Sequence, residues 1–181
     1  MRCRRCVAPF PAQSPAPNKR SSDVLPVSPH LRLARRLAVG VPALLLGGAL
    51  IGQYAFGLYP CEMCLWQRYP HVAAIVLGTL AYFASGKRML VTLAGLSLLV
   101  TAAIGAFHAG VEYGWWEGLT ACSTVVGQGG SAIEAITNAP LVRCDKSQWD
   151  FLGISLAGWN FILSSVAGIV VLVLLMKDIR K

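Results

Sequence analysis

Residues 89–111 read MLVTLAGLSLLVTAAIGAFHAGV, a run without a single Asp, Glu, Lys or Arg. A helix needs about 20 such residues to cross the hydrocarbon of a bilayer, so the stretch predicts one crossing. Its neighbours extend the pattern in both directions. Before it stands the basic turn Lys87-Arg88, and before that a second uncharged stretch, Tyr69 to Gly86. A further uncharged run covers Leu37 to Cys61, with its apolar part ending near Phe56, and another covers Phe151 to Met176. Four crossings predict an all-α integral membrane four-helix bundle.

Charge orients it. Lys87 and Arg88, the tail Lys177, Arg180 and Lys181, and the basic residues ahead of Leu37 belong on the cytoplasmic side by the positive-inside rule. Only Arg68, Arg143 and Lys146 then remain outside, in company with Glu62, Glu112, Glu117, Glu134, Asp145 and Asp150. Both termini are predicted inside. The outward segments are Gly57 to about Arg68 and a long loop from Glu112 to about Gly158, where Trp115, Trp116, Trp149 and Trp159 suit the interfacial belt.

Composition agrees. The 181 residues are 55% hydrophobic and 13% charged, with a mean hydropathy of +0.58, a balance that excludes an ordinary soluble domain. The net charge of +8 is spread between apolar runs rather than gathered on one patch, which argues against nucleic acid as a partner. Residues 1–36 interleave Pro9, Pro11, Pro15, Pro17, Pro26 and Pro29 with Ser, Arg and Lys. That composition predicts a disordered cytoplasmic extension, leaving residues 37–176 as the membrane domain and 177–181 as a tail. A cleavable signal peptide is the rival reading of the first apolar run, but the run is long for one and no Ala-x-Ala site follows. Gly40, Gly47, Gly48 and Gly52 suggest close helix packing along the first span.

The cysteines carry the chemistry. Cys61-Glu62-Met63-Cys64 stands outside the membrane at the start of the second span. Unpaired amides and the helix dipole favour a thiolate there, most of all at Cys64. Arg68 lies four residues on, one turn away on the same face, where a permanent cation would lower the thiol pKa further and hold negative charge on a reduced acceptor. A structural staple or half a zinc site is the bland alternative. A bridge across two residues stabilises little, and no second Cys or His pair has the spacing to close a tetrahedral site, so no metal is assigned. Cys122 and Cys144 share the long outward loop, separated by Gly127, Gly129, Gly130 and an apolar-periodic piece, Ser131 to Ala139, that predicts a short interfacial helix. Alone, this pair reads as an ordinary structural disulfide. Cys3 and Cys6 form another CxxC, but in a reduced cytoplasmic segment without partner ligands, so they receive no function.

Two pairs, one near the membrane and one on a mobile loop, suit relayed thiol–disulfide exchange. At this point the combination resembles a known family. Four spans, a CxxC before the second with Arg four residues after its last Cys, two loop cysteines before the fourth span, and the run Cys144-Asp145-Lys146-Ser147-Gln148-Trp149-Asp150-Phe151-Leu152-Gly153 are similar to the DsbB family. The resemblance covers about residues 37–176.

It implies a bacterial inner-membrane, quinone-dependent protein-disulfide oxidoreductase that reoxidises a periplasmic DsbA-like thioredoxin-fold protein and so generates disulfides in the periplasm. By the same resemblance Cys61 and Cys64 are the quinone-coupled pair, with Cys64 facing ubiquinone or menaquinone and Arg68 as its electrostatic partner. Cys122 and Cys144 are the pair that meets the dithiol protein. His108, near the outer end of the third span, is a candidate donor to a quinone carbonyl or else a helix-packing histidine, and Glu112 one turn on shares that ambiguity. Two rivals stay open: a non-enzymatic membrane subunit with two structural disulfides, and a paralogue serving one dedicated partner.

Overall fold

The computed structural model describes residues 27–119, 123–124 and 141–179. The N-terminal residues 1–26, with Cys3 and Cys6, lie outside it, as do Cys122 and the segment predicted to form the interfacial helix. Four long helices dominate: α1 (Pro29–Phe56), α2 (Glu62–Phe83), α3 (Lys87–Glu112) and α4 (Leu156–Ile179). The shortest has 22 residues, about 33 Å at 1.5 Å per residue, against roughly 30 Å of hydrocarbon. Three of them, α1, α3 and α4, are long and apolar enough to cross a membrane. The second is long enough but carries Gln67, Arg68 and His71 in its first half. Gln67 and His71 are buried in the bundle, while Val72, Val76, Leu80 and Phe83 are among the apolar side chains that α2 exposes.

The helix ends follow local chemistry. The hydroxyl of Ser28 accepts from the Leu31 amide at 3.1 Å, and Pro29 occupies the first turn, where its missing N–H costs nothing. Gly57, at φ 68°, closes α1 in the left-handed conformation that L side chains resist, and the Leu58 amide reaches back to the Gly52 carbonyl. These caps correct the predicted extension: residues 29–36 are helical. Leu31, Ala34 and Arg35 are buried in the bundle, and Arg35 donates to the Ala81 carbonyl and lies 4.4 Å over the Tyr82 ring. A single proline at the first turn starts a helix, whereas prolines spread along a segment break one.

Packing relies on small residues. The core joins Ala34 and Ala38 of α1, Ala74 and Ala81 of α2, Val91, Ala94 and Leu98 of α3, and Val171 and Leu175 of α4. Such residues let helix backbones approach where apolar burial alone cannot drive association in lipid. At Gly105 a Cβ would stand 3.0 Å from the Ala157 backbone carbonyl oxygen of α4. The glycines singled out on α1 play no such part: a Cβ at Gly40, Gly47 or Gly48 meets nothing within 4 Å, and at Gly52 only the Leu58 side chain. A glycine spacing marks where helices can approach, and the α1 glycines face open space instead.

At the end of the bundle away from Cys61, Asp178 of α4 accepts from Ser28 at the α1 cap and from Arg88 at the start of α3, the latter at 2.8 Å. These two donors, Ser28 first, hold the Asp178 carboxyl below its ordinary range.

At the opposite end the loop contributes β1 (Ser123–Thr124) antiparallel to β2 (Leu141–Val142), and β3 (Asp150–Phe151) antiparallel to β4 (Ile154–Ser155). The turn between β3 and β4 has Leu152 and Gly153 at φ 57° and 75°, the paired positive values of a tight hairpin. The predicted fourth span therefore begins too early. Phe151 lies in the hairpin and the helix starts at Leu156. Apolarity continues through both, and only the turn geometry separates them.

Candidate functional site

Cys61 is the N-cap of α2, and its sulfur accepts from the Cys64 amide at 3.3 Å. Cys64 thus sits in the first turn, where the helix N-terminus favours negative charge. The Cys61 thiol donates to Cys64 Sγ at 3.1 Å. That bond separates the two sulfurs electrically. Cys64 is lowered from the ordinary thiol range, chiefly because Cys61 donates to it, against the opposing effect of burial. Cys61 is pushed up to about 12, first by the same bond and then by burial.

Cys144 is buried in one cluster with Cys61, Met63, Val111 and Val142, and Cys64 packs against that cluster. So three cysteines separated by up to 83 positions meet at one end of the bundle.

His108 of α3 points into the same place. Its Nε2 lies 3.5 Å from Cys61 Sγ and 3.7 Å from Glu112 Oε1, and the residue is 1% exposed. The sulfurs of Cys61 and Cys64 and a ring nitrogen of His108 all fall within 4.8 Å of one another. This is ligand-like spacing that chain positions could not reveal, yet among the described residues the set stops at three donors, short of the four of a closed structural zinc site.

A cavity of about 560 Å³ adjoins the cysteines, lined among others by Cys61, Cys64, Arg68, His108 and Glu112 on one side and by Gly48 of α1 on the other. Its size is that of a small-molecule site. Arg68 shares it with Cys64, but its Nη1 is held by Gln53 Oε1 of α1 at 2.6 Å, and the leading cause of the lowered Cys64 thiol is Cys61 rather than the guanidinium.

Sequence reasoning passed over Gln53, Gln67 and Asn160. Each is a polar residue inside an apolar helix, and that is the signal that should have drawn notice.

A family model described as disulfide bond formation protein DsbB matches residues 31–174. A protein of Polaromonas naphthalenivorans (strain CJ2) named disulfide bond formation protein B is 33% identical over 163 residues, 83% of this chain and 93% of its own. One of the same name from Paracidovorax citrulli (strain AAC00-1) is 30% identical over 170 residues, 88% of this chain and 94% of its own. No solved structure matches the chain. A helical membrane bundle with a redox-competent cysteine pair at one end defines a membrane disulfide oxidoreductase. Within that class, the chain belongs to the family of disulfide bond formation protein DsbB.

Proposed function

We propose that this protein reoxidises a periplasmic DsbA-like thioredoxin-fold dithiol protein and passes the electrons to a membrane quinone. The observation that carries the reading is the meeting of Cys61, Cys64 and Cys144 beside a cavity that Cys64 and Arg68 line. The proposed setting is a bacterial inner membrane, with both termini cytoplasmic and the cysteines periplasmic. Basic Lys87, Arg88 and Lys177 at the opposite end of the bundle support it.

The residues present fit a quinone. The α1 wall is apolar, the far side offers Arg68 and His108, and buried Glu112 Oε2 lacks any hydrogen-bond partner among the described residues. Arg68 would hold an oxygen of the ring and His108 would stand near the sulfurs. A bound quinone supplies the acceptor for two electrons and two protons.

The chain's own steps are exchanges through mixed disulfides. A partner thiolate attacks Cys122 of the Cys122–Cys144 disulfide, and Cys144 leaves as thiolate. Cys144 attacks Cys61, breaking Cys61–Cys64 and releasing Cys64 as thiolate. The second partner thiol resolves the mixed disulfide on Cys122, so the partner departs oxidised. Cys122 then attacks Cys144, re-forming the loop disulfide and freeing Cys61. The dithiol Cys61/Cys64 now carries both electrons, with Cys61 holding a proton and Cys64 the negative charge. Re-forming the Cys61–Cys64 bond gives them up, and the cycle closes.

Purified protein mixed with a reduced thioredoxin-fold partner and ubiquinone or menaquinone should convert partner dithiol to disulfide in step with quinone reduction, one for one. Partner oxidation without quinone consumption sinks the proposal. In intact cells, a membrane-impermeant maleimide should label reduced Cys122. Labelling that requires a permeant reagent would reverse the topology.

The cavity wall offers a separate check. A side chain at Gly48 meets no neighbour within 4 Å, so Gly48→Leu should leave the fold unchanged while filling the cavity. The expected result is a quinone KM raised by about tenfold, the scale of 1.4 kcal/mol, with partner exchange unaltered.

A further inference from the structure

Four polar side chains, Thr101, Asn160, Gln67 and His108, form a continuous hydrogen-bonded ladder through α2, α3 and α4, and the ladder ends on His108. Thr101 spends its one hydroxyl proton on the Gln67 carbonyl at 2.9 Å, so its oxygen is left to accept from Asn160 Nδ2 at 3.1 Å. That contact, with the Thr101 carbonyl at 3.4 Å, fixes which end of the Asn160 amide is the NH2 group. Asn160 Nδ2 also donates to Gln67 Oε1 at 2.7 Å. The Gln67 amide is thereby oriented in turn, and its Nε2 donates to His108 Nδ1 at 2.9 Å and to the Met63 carbonyl at 3.3 Å. An amide N–H aimed at Nδ1 requires that nitrogen to be bare.

We infer that Gln67 and Asn160 are positioning residues that hold His108 as the neutral Nε2–H tautomer, with that hydrogen directed at Cys61 Sγ. The inference rests on the proposed exchange at Cys61. In it, His108 donates a hydrogen bond to charge building on the Cys61 sulfur and does not take the thiol's proton, because a second proton on the ring would collide with the Gln67 amide. The groups facing His108 are the Cys61 thiol from α2, the Glu112 carboxyl from its own helix and the backbone of Cys144 from the loop, while Arg68 is turned to Gln53.

A second histidine obeys the same logic. Asn160 Oδ1 accepts from His71 Nε2 at 2.9 Å and from the Ser164 hydroxyl at 2.9 Å. His71 therefore also carries its proton on Nε2, and the atom it leaves without a partner is the bare Nδ1. An unpartnered lone pair is the more tolerable kind of orphan.

Nitrogen-15 NMR of histidine-labelled full-length protein in lipid nanodiscs tests the inference without any turnover. His108, identified by loss of its signals in His108→Gln, should show a bare Nδ1 and a protonated Nε2 at about pH 8, where a free histidine is neutral. In Gln67→Glu the new carboxylate accepts where the amide donated, so the Nδ1 signal should move to the protonated class. Exchange between Cys144 and Cys61 should then slow by roughly tenfold, as when an orienting partner of a functional side chain is lost. Asn160→Leu, which removes the brace but adds no charge, should give a mixture of the two tautomers and a smaller loss. A protonated Nδ1 in the unaltered protein overturns the inference. So does a Gln67→Glu protein that is folded and keeps the original tautomer. If the unaltered protein shows the Nε2–H tautomer but exchanges no disulfide at Cys61, the positioning stands and the proposed function fails.

Discussion

Serine at position 64 should stop quinone reduction, by roughly three orders of magnitude or more, as when a nucleophile is removed from an enzyme that has no substitute for it. Partner turnover should stop with it, because Cys61, no longer tied to position 64, can attack Cys144 of the Cys122–Cys144 disulfide, releasing Cys122 as thiolate, and Cys61 and Cys144 are packed in one cluster. A Cys64→Ser protein is therefore expected to accumulate a stable Cys61–Cys144 cross-link, visible as a non-reducing band that dithiothreitol removes. Its absence, with normal quinone turnover, would remove Cys64 from the reaction. The pH dependence has a definite sign. The Cys64 thiol is held low mainly by the Cys61 donor, so in the unaltered, reduced protein its reaction with iodoacetamide should persist below the pH at which an ordinary thiol loses reactivity. Cys61→Ala deletes that donor and leaves burial unopposed by it, so the alkylation profile of Cys64 should move to higher pH.

Arg68→Ala should raise the quinone KM by tenfold or more, about 1.4 kcal/mol for each tenfold, and slow quinone reduction while partner exchange stays near normal. The cause is location: Arg68 brings a permanent cation to a largely apolar cavity, where charge is poorly screened. Arg68→Lys should fall between, since it keeps the charge and loses the planar fork. Gln53→Leu gives a further control, because Gln53 Oε1 steers the guanidinium at 2.6 Å. It should produce the same change as Arg68→Ala in smaller measure. Wild-type kinetics for a folded Arg68→Ala protein across limiting quinone would defeat the assignment.

Much of the bundle was readable along the chain because membrane crossing is a local property. About 20 apolar residues bounded by charge specify a span, whatever the rest of the molecule does. The same holds for Cys61 and Cys64, whose separation by two residues places one at the cap and the other in the first turn of α2. Local reading failed where apolarity was blind to geometry. Phe151 is as apolar as its helical neighbours but belongs to a hairpin turned by Leu152 and Gly153. Proline-rich composition likewise hid a helix that begins at Pro29 with Ser28 as its cap.

The sequence by itself determined the class of fold, the Cys61–Cys64 spacing before the second span and the resemblance that names the family. Only the tertiary structure decided that His108 stands 3.5 Å from Cys61, that Arg68 turns to Gln53, that Cys144 packs beside Cys61 and Cys64, and that Gln67 and Asn160 link α2 to α4. The division has one physical cause. Helix crossing and capping depend on neighbours within a turn or two, whereas a hydrogen bond between helices depends on their rotation and depth against one another. Those are set by where small residues such as Gly105 allow two backbones to close.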